Sequence, residues 1–238
     1  MNKVSQALIA AGGKGTRLLP ETNPSGSKVL IEHNGKTLFE YLIDSLMEGG
    51  VQRFIVSTGY HTDRKIREIV RRKKIEAIVM PISECGSFKW IPYYVQDILD
   101  ERFMLVCGHQ PLDPQFVGEM LDASENSGYV ASAYQGDLYK LERAAKMRIF
   151  YSFQEKRIEL GKGRFDPKKL SAKFFIDSPY ILTKDIVSEF SDNNDEGEYS
   201  SYILKRWTNG ELVSVVKSPT PPEFDYDEEF DRTIESLE

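Results

Sequence analysis

A glycine-rich loop near the N-terminus is the part of this sequence whose residue types are best suited to chemistry. It follows a short apolar run, and glycines there let the backbone approach a polyphosphate and direct several N–H groups at it. A lysine and an arginine within the loop add charge-assisted hydrogen bonds to phosphate oxygens. We therefore predict a polyphosphate site formed by Ala11, Gly12, Gly13, Lys14, Gly15, Thr16 and Arg17.

This loop differs from two common phosphate-binding loops. Leu18 stands where a dinucleotide-binding fingerprint has its third glycine. The loop also lacks the Gly-Lys-Ser/Thr ending that is typical of a Walker A loop. The sequence therefore predicts a nucleotide site that belongs to neither of these classes.

The residues after the loop extend the pattern. Residues 13–20 read Gly-Lys-Gly-Thr-Arg-Leu-Leu-Pro, a Ser27-Lys28 pair follows, and residues 34–38 read Asn-Gly-Lys-Thr-Leu before a helical segment. This set resembles the signature of the sugar-1-phosphate nucleotidyltransferases. The resemblance implies that Arg17 would hold the triphosphate, that Lys28 would act on the reacting phosphates, and that both are catalytic residues.

Weaker matches to the same family lie further along the chain. The resemblance implies that a Cys-Gly-Ser turn and the residues after a later strand contact the nucleotide. It also implies that a Glu-Lys pair contacts the acceptor and that a late Asp-x-Asp element holds Mg²⁺ or Mn²⁺. The residues so implied are Gly86, Ser87, Gly108 and His109 for the nucleotide, Glu155 and Lys156 for the acceptor, and Asp225 and Asp227 for the metal.

The sequence departs from the family pattern at His109, which stands where relatives carry a metal-binding aspartate. Magnesium prefers oxygen ligands, and imidazole is a poor substitute for a carboxylate. Four interpretations are open. The metal is held mainly by Asp225 and Asp227, Asp113 reaches into the site, His109 supports a softer metal, or the chain binds nucleotide without turning it over.

The reaction that the resemblance implies joins an NTP and a sugar 1-phosphate, so that a nucleotide sugar forms and pyrophosphate leaves. Catalysis of this kind depends on positioning and electrostatics more than on covalent chemistry by the protein. Two alternatives stay open. One is a catalytically impaired protein of the same fold that binds nucleotide or sugar nucleotide, and the other is transfer to a non-sugar acceptor such as choline, inositol or pterin phosphate. No motif encodes the nucleobase, the acceptor or the oligomeric state, and a homo-oligomer is compatible with the sequence.

Strands and helices, which must position the loop, alternate over the first half of the chain. Such alternation predicts βαβ units and a parallel sheet covered on both faces, with ligands at the carboxyl ends of the strands. Apolar runs and helical periodicity predict strands at residues 4–11, 53–57, 75–80, 103–107 and 129–134, and helices at residues 36–47, 63–72, 88–99 and 115–123.

The pattern changes after residue 135. The predicted strands there are residues 148–153, 173–182 and 211–216, and the predicted helices are residues 184–190, 199–207 and 228–237. Together with the resemblance, the fold class is α/β, a Rossmann-like three-layer α/β/α mixed sheet of the nucleotidyltransferase type. We expect one domain over residues 1–238, with a nucleotide-binding half at 1–135 and an acceptor-binding half at 136–238.

Composition argues against several other classes of protein. The 238 residues are 40% apolar and 29% charged with a net charge of −6, which is typical of a globular chain and unfavourable for general nucleic-acid binding. No stretch approaches the roughly 20 apolar residues of a membrane span, and two lone cysteines indicate a reducing compartment. We predict a cytoplasmic protein whose partners are an NTP and a sugar phosphate, with neither nucleic acid nor membrane.

Two further clusters are interpreted as structural. Seven lysines and arginines between residues 64 and 74 surround three β-branched apolar residues, which predicts a helix with one buried stripe and a charged outer face. Trp90, Tyr93 and Tyr94 have helical spacing, and we predict that they belong to the core.

Overall fold

A computed structural model of the chain describes residues 3–15, 25–82, 88–135, 148–161, 174–192 and 199–219. Within these ranges the strands are β1 (Gln6–Ala11), β2 (Glu32–His33), β3 (Lys36–Thr37), β4 (Arg53–Thr58), β5 (Ala77–Pro81), β6 (Arg102–Cys107), β7 (Tyr129–Gln135), β8 (Arg148–Ser152), β9 (Arg157–Gly161), β10 (Phe174–Thr183) and β11 (Val213–Lys217). The α-helices are α1 (Leu38–Glu48), α2 (Tyr60–Lys73), α3 (Ile91–Tyr94), α4 (Pro114–Asn126), α5 (Asp185–Asp192) and α6 (Tyr199–Thr208). None of these helices is long and apolar enough to cross a membrane. The helix predicted at residues 228–237 lies outside the described ranges.

Strands of both directions form the central sheet, whose order is β11-β7-β10-β6-β1-β4-β5. β1 pairs in parallel with β4 and with β6, and β4 pairs in parallel with β5. β10 is antiparallel to β6 and to β7, and the hairpin of β8 and β9 joins the sheet through β10. The sheet is therefore mixed, which confirms the predicted fold class.

The strands predicted in the first half of the chain all run in the same direction, as predicted, but two of them are not neighbours in the sheet. The strand predicted at residues 129–134 is β7, but β10 lies between it and β6. Leu182 of β10 pairs with Phe103 on one side, and Ile181 pairs with Val130 on the other. Because the periodicity of one strand carries no information about its neighbour, the late entry of β10 into the middle of the sheet was not visible in the sequence.

Side chains of successive residues point to opposite faces of the sheet, and each face carries a hydrophobic core. Ile9 of β1 packs in the core beneath α1, α2 and α4. Leu8, the residue before it, packs in the core beneath α3, α5 and α6. Helices therefore cover both faces of the sheet, and β1 lies in its interior between β6 and β4.

The single helix predicted at residues 88–99 is wrong, because the chain forms two 3₁₀ turns that flank the short helix α3. Pro92 lacks an N–H, and its ring obstructs the preceding turn, so a continuous helix through it is unfavourable. The predicted burial of the aromatic cluster is also wrong for Tyr93 and Tyr94, which are 40% and 49% exposed.

Helix α2 confirms the predicted basic helix with one buried stripe. It begins at Tyr60, three residues before the predicted start, and it buries Ile66 and Ile69. Arg67 donates to the Asp63 carboxylate at 2.8 Å and to the carbonyl of a residue in the edge strand β5 at 2.7 Å. Part of the charged face is therefore neutralised by α2 itself.

A hairpin that the sequence-based prediction missed leads the chain into α1. β2 and β3 are joined by Asn34 and Gly35, whose φ angles are 47° and 76°. Asn-Gly is the dipeptide that best tolerates two left-handed residues in a two-residue turn. The strands on either side of this turn have two residues each, too few to show a period.

The N-terminus of α1 is fixed by a reciprocal pair of hydrogen bonds. The Glu40 N–H donates to Thr37 Oγ1 at 3.2 Å, and the Thr37 N–H donates to Glu40 Oε2 at 3.1 Å. Arg72 of α2 also donates to the Glu40 carboxylate. Burial alone would raise the pKa of Glu40, but these hydrogen bonds more than offset burial and hold the pKa below its ordinary value.

We expect Glu40→Ala to lower the free energy of unfolding by about 1–2 kcal/mol near neutral pH, because the Thr37 N–H loses its acceptor. A carboxyl group with a depressed pKa contributes stability above its unfolded-state pKa and loses it as the pH falls through its folded-state pKa. The difference in free energy of unfolding between the wild type and Glu40→Ala should therefore shrink as the pH falls below 4.5, the ordinary pKa of a glutamate side chain. Chemical denaturation at neutral and acidic pH measures this.

The matched control is Glu48→Ala, at the exposed last residue of the same helix. It should change the free energy of unfolding little at either pH. If the difference in free energy of unfolding between the wild type and Glu40→Ala did not vary with pH, the capping carboxylate would not be the source of the stability.

Candidate nucleotide-binding site

Three neighbouring parallel strands each end immediately before a glycine. β1, β4 and β6 are followed by Gly12, Gly59 and Gly108, respectively. Ala11 pairs with Thr58 in the last position of β1 and β4, so the first two glycines lie side by side. The carboxyl ends of these strands therefore meet at one edge of the sheet, which is where ligands of such folds bind.

Two of these glycines are required by the packing of the backbone. The Gly108 N–H donates to the Ala10 carbonyl at 2.8 Å, and a Cβ on Gly108 would lie 2.9 Å from that same oxygen. A Cβ on Gly59 would lie 3.0 Å from the Gly12 carbonyl oxygen and 2.9 Å from the His61 ring. Side chains at these positions would force the strand ends apart.

Gly13 is different, because packing does not explain it. A Cβ built on Gly13 meets no heavy atom of the described residues within 4 Å. The space above this residue is open, and a bound polyphosphate would occupy such a space against the backbone. Gly15 has a φ of 60°, in the left-handed region of backbone conformation that favours glycine.

Carbonyl groups of the glycine loop are held by buried hydroxyls. Thr62 Oγ1 donates to the Ala11 carbonyl at 3.0 Å, and Ser27 Oγ donates to the Gly13 carbonyl at 3.1 Å. Both hydroxyl-bearing residues are fully buried. The loop is therefore anchored at its start by α2 and near its middle by the segment that carries Lys28.

Lys28 lies between the glycine loop and the exit of β6. The residue before it bonds to Gly13, and the Cγ1 atom of Val29, the residue after it, lies 3.1 Å from a Cβ built on Gly108. Lys28 itself begins a 3₁₀ turn and is only 7% exposed. The structure thus brings together the described loop residues, Lys28 and Gly108, and their contact with a nucleotide stays a prediction.

The segment after β6 is anchored by a buried polar network. Gln110 donates from Nε2 to the Tyr134 hydroxyl at 2.8 Å and to the Ser178 carbonyl at 2.9 Å. Tyr134 also donates to the Ser178 carbonyl. Because burial raises the pKa of the Tyr134 hydroxyl, it stays a neutral donor at every physiological pH. This network fixes the backbone next to His109, which is also buried.

Asp113 caps the helix that follows β6. Its Oδ1 accepts from the N–H groups of Gln115 and Phe116 at 2.7 and 3.1 Å, so it caps the N-terminus of α4. Among the described residues there is no group of three or more His, Cys, Asp or Glu that could hold a metal ion. The described part of the site therefore does not form a Mg²⁺ site by itself, and the approach of Asp113 to a metal stays a prediction.

The predicted acceptor residues lie on the same edge of the sheet. β8 runs in the direction of β6 and pairs with the part of β10 that extends past the carboxyl end of β6. Glu155 and Lys156 follow β8 in an exposed turn, and the Glu155 N–H donates to Ser152 Oγ at 3.2 Å. Their contact with an acceptor stays a prediction. The other predicted site residues lie outside the described ranges: Thr16, Arg17, Gly86, Ser87, Asp225 and Asp227.

Sequence reasoning missed the hydroxyls that anchor the loop. Thr62 follows Gly59 at the spacing of a helix N-terminal cap, and the Gly59 N–H does donate to its hydroxyl at 3.1 Å, so this signal was available. Ser27 carried no local signal, because its partner lies 14 positions earlier in the chain. Cys107 is a buried free cysteine, and Cys85 lies outside the described ranges.

The fold is similar to those of solved nucleotidyltransferase structures. The chain superposes on the inositol-1-phosphate CTP transferase from T. maritima with a TM-score of 0.76 and 20% sequence identity, over 99% of this chain and 95% of that one. It superposes on UDP-glucose pyrophosphorylase in complex with UDP-glucose with a TM-score of 0.75 and 16% identity, over 98% of each chain. These likenesses define the nucleotidyltransferase fold.

Sequence comparison defines the family. Residues 7–200 match the family model for the MobA-like NTP transferase domain, and the chain therefore belongs to the MobA-like NTP transferase family. It is 33% identical to UTP–glucose-1-phosphate uridylyltransferase AglF of Haloferax volcanii over 110 residues. This alignment covers 43% of this chain and 42% of that relative. The chain is 44% identical to the choline-phosphate cytidylyltransferase of Streptococcus pneumoniae over 55 residues. This second alignment covers 23% of this chain and 24% of that relative. The chain thus spans less than half the length of these two relatives.

The contrast between two glycines gives a test of where the ligand lies. We expect Gly13→Ala to leave the free energy of unfolding within about 1 kcal/mol of the wild type, because the new methyl group points into open space. The same methyl group should obstruct a polyphosphate and weaken NTP binding by about tenfold or more. Chemical denaturation and titration calorimetry measure the two effects.

Gly108→Ala is the matched comparison, because its methyl group meets the Ala10 carbonyl. It should destabilise the protein by about 1–3 kcal/mol, as overpacking does. If Gly13→Ala bound NTP as tightly as the wild type, the open space above Gly13 would not be the phosphate site.

Proposed function

We propose that this chain transfers a nucleotidyl group from an NTP to a sugar 1-phosphate, with release of pyrophosphate and formation of a nucleotide sugar. The observation that carries this proposal is the convergence of Gly12, Gly108 and the buried Lys28 at the carboxyl ends of β1 and β6. Backbone N–H groups and a shielded lysine suit the charge of a triphosphate and of a leaving pyrophosphate. Membership of the NTP transferase family supports the same reaction class.

In this reaction an oxygen of the acceptor phosphate attacks the α-phosphorus of the NTP. A new P–O bond forms while the bond to pyrophosphate breaks, and its electron pair leaves with the pyrophosphate oxygen. Negative charge then grows on the α-phosphoryl oxygens and on the leaving group. Arg17 and the loop N–H groups would hold the triphosphate, Lys28 would stabilise the developing charge, and Glu155 and Lys156 would contact the acceptor.

Two acceptor classes have support. The longer of the two relative matches is to a glucose-1-phosphate uridylyltransferase, and this favours a sugar 1-phosphate. The shorter match, to a choline-phosphate cytidylyltransferase, favours a non-sugar phosphate as the second candidate. The likeness to an inositol-1-phosphate CTP transferase concerns the fold and does not choose between them.

A pyrophosphate-release assay over the four NTPs tests the proposal. The acceptors to compare are glucose 1-phosphate, choline phosphate and inositol 1-phosphate, each with Mg²⁺ and with Mn²⁺. Turnover with glucose 1-phosphate alone supports sugar transfer, and turnover with choline or inositol phosphate alone supports the second candidate. NTP binding without turnover of any acceptor would leave a nucleotide-binding protein that is not a transferase.

Lys28 should act on the transition state more than on the ground state. We expect Lys28→Ala to lower kcat by about 10²–10³, as loss of a preorganised electrostatic group does, with a smaller change in KM for the NTP. Lys73→Ala is the control, because Lys73 is also largely buried but lies at the far end of α2, paired with Asp44 at 2.6 Å. Near-normal kcat in Lys28→Ala would remove this lysine from the chemistry.

His109 should limit the use of magnesium. We propose that Asp225 and Asp227 supply the metal ligands and that a carboxylate at position 109 would add a further oxygen ligand. His109→Asp should then raise pyrophosphate release with Mg²⁺, measured beside the wild type. Asp113→Asn is the control, because asparagine can still cap α4 and should leave the response to metal unchanged.

The same experiment separates the other interpretations of this histidine. A wild type that prefers Mn²⁺, Co²⁺ or Zn²⁺, and loses that preference in His109→Asp, would make the imidazole itself a ligand. Identical Mg²⁺ responses in the wild type and in His109→Asp would exclude position 109 from the metal site altogether.

A further inference from the structure

We propose that Ser27 is a positioning residue for the nucleotide, because its hydroxyl fixes the peptide group between Gly13 and Lys14. This inference rests on the proposed function, since it requires a polyphosphate at the glycine loop. The contact that carries it is the hydrogen bond of 3.1 Å from Ser27 Oγ to the Gly13 carbonyl. It assigns a role in substrate binding to a hydroxyl that touches no substrate atom.

The planarity of the peptide bond explains how a hydroxyl can act at a distance. In a trans peptide the C=O of one residue and the N–H of the next point in opposite directions from a rigid plane. When Ser27 holds the Gly13 carbonyl towards the protein, the Lys14 N–H must point away from Ser27. The hydrogen bond therefore directs a backbone donor of the loop.

Among the described residues, few contacts fix this peptide group. Gly13 has no side chain, and even an added Cβ would touch no described atom within 4 Å, so side-chain packing by described residues does not hold its backbone. The exposed ring of His61 also approaches the Gly13 carbonyl, with Nε2 at 3.5 Å, but that distance is at the limit of a hydrogen bond. Of the contacts made to this carbonyl by described residues, the buried hydroxyl is the stronger.

Ser27 is itself held rigidly, so its hydroxyl can set the geometry of its partner. It is fully buried, and its N–H donates to Ser25 Oγ at 3.3 Å. Its carbonyl accepts from the Leu30 N–H at 3.0 Å, which closes the turn that begins with Lys28. One residue therefore links the direction of the Lys14 N–H to the position of the neighbouring lysine.

The consequence for function is a specific pattern of kinetic change. Without the hydroxyl, the peptide group can rotate and the Lys14 N–H no longer points in one direction. Ser27→Ala should weaken the binding of inorganic pyrophosphate and of NTP by about three- to tenfold, the loss expected for one hydrogen bond. KM for the NTP should rise by a similar factor while kcat falls less. General damage to the fold would instead lower kcat through a smaller active fraction and leave KM unchanged.

The experiment is calorimetric titration of the whole chain with inorganic pyrophosphate and with the four NTPs, joined by the kinetics of pyrophosphate release. Ser27→Cys serves as a second variant, because it fills the same space and keeps the fold if the alanine variant does not. Ser27→Thr keeps the hydroxyl and should restore binding relative to both. Ser124→Ala is the control, since Ser124 is also fully buried and its hydroxyl donates to a carbonyl, that of Leu121, at 2.6 Å within α4.

The outcomes separate the two proposals. Weaker binding in Ser27→Ala and Ser27→Cys, with Ser124→Ala like the wild type, supports the positioning role. Wild-type affinity in both Ser27 variants overturns that role and leaves the proposed function intact. A wild type that binds neither pyrophosphate nor any NTP overturns the proposed function and this inference together.

Discussion

The close approach of backbone segments around the carboxyl end of β1 is the constraint on which the rest of this structure depends. The Gly108 N–H reaches the Ala10 carbonyl at 2.8 Å, and a Cβ on Gly59 would lie 3.0 Å from the Gly12 carbonyl. Only glycine permits such distances, because any side chain would separate the strand ends. The loop after β1, the start of α2 and the segment after β6 are therefore held together by backbone geometry, and hydrophobic cores pack on both faces of the strands.

An electrostatic consequence follows from this convergence. The chain carries a net charge of −6, so its overall field does not attract a triphosphate. Attraction has to be local, and a lysine that is only 7% exposed interacts with a bound phosphate more strongly than a surface lysine, because less water screens it. Hydroxyls from Thr62 and Ser27 add no charge, and their contribution is to hold the loop carbonyls on the protein side.

The sequence predicted the parts of this account that are encoded locally. The apolar runs of β1, β4 and β6 and the periodicity of α1 and α4 located these elements to within a few residues, and the glycine loop with Lys28 defined the candidate site. The insertion of β10 between β6 and β7 could not be predicted, because it depends on pairing between distant segments. Ser27 was recognised only as the neighbour of a lysine, since its own role lies in a contact across the loop. For Tyr93 and Tyr94 a local pattern gave a wrong prediction, because their helical spacing indicated burial and both side chains are exposed. Pro92 prevents the single long helix on which that prediction depended.

The central claim is that an NTP binds where three glycine-terminated strands meet, and amide NMR of the isotopically labelled chain tests it most directly. Titration with each of the four NTPs should move the amide resonances of residues 12–15, of Lys28 and of residues 108–109. The amides at the C-terminal end of α4, near Ser124, should stay unchanged. Shifts confined to other surfaces, with the glycine-loop amides unmoved at saturating NTP, would contradict the account.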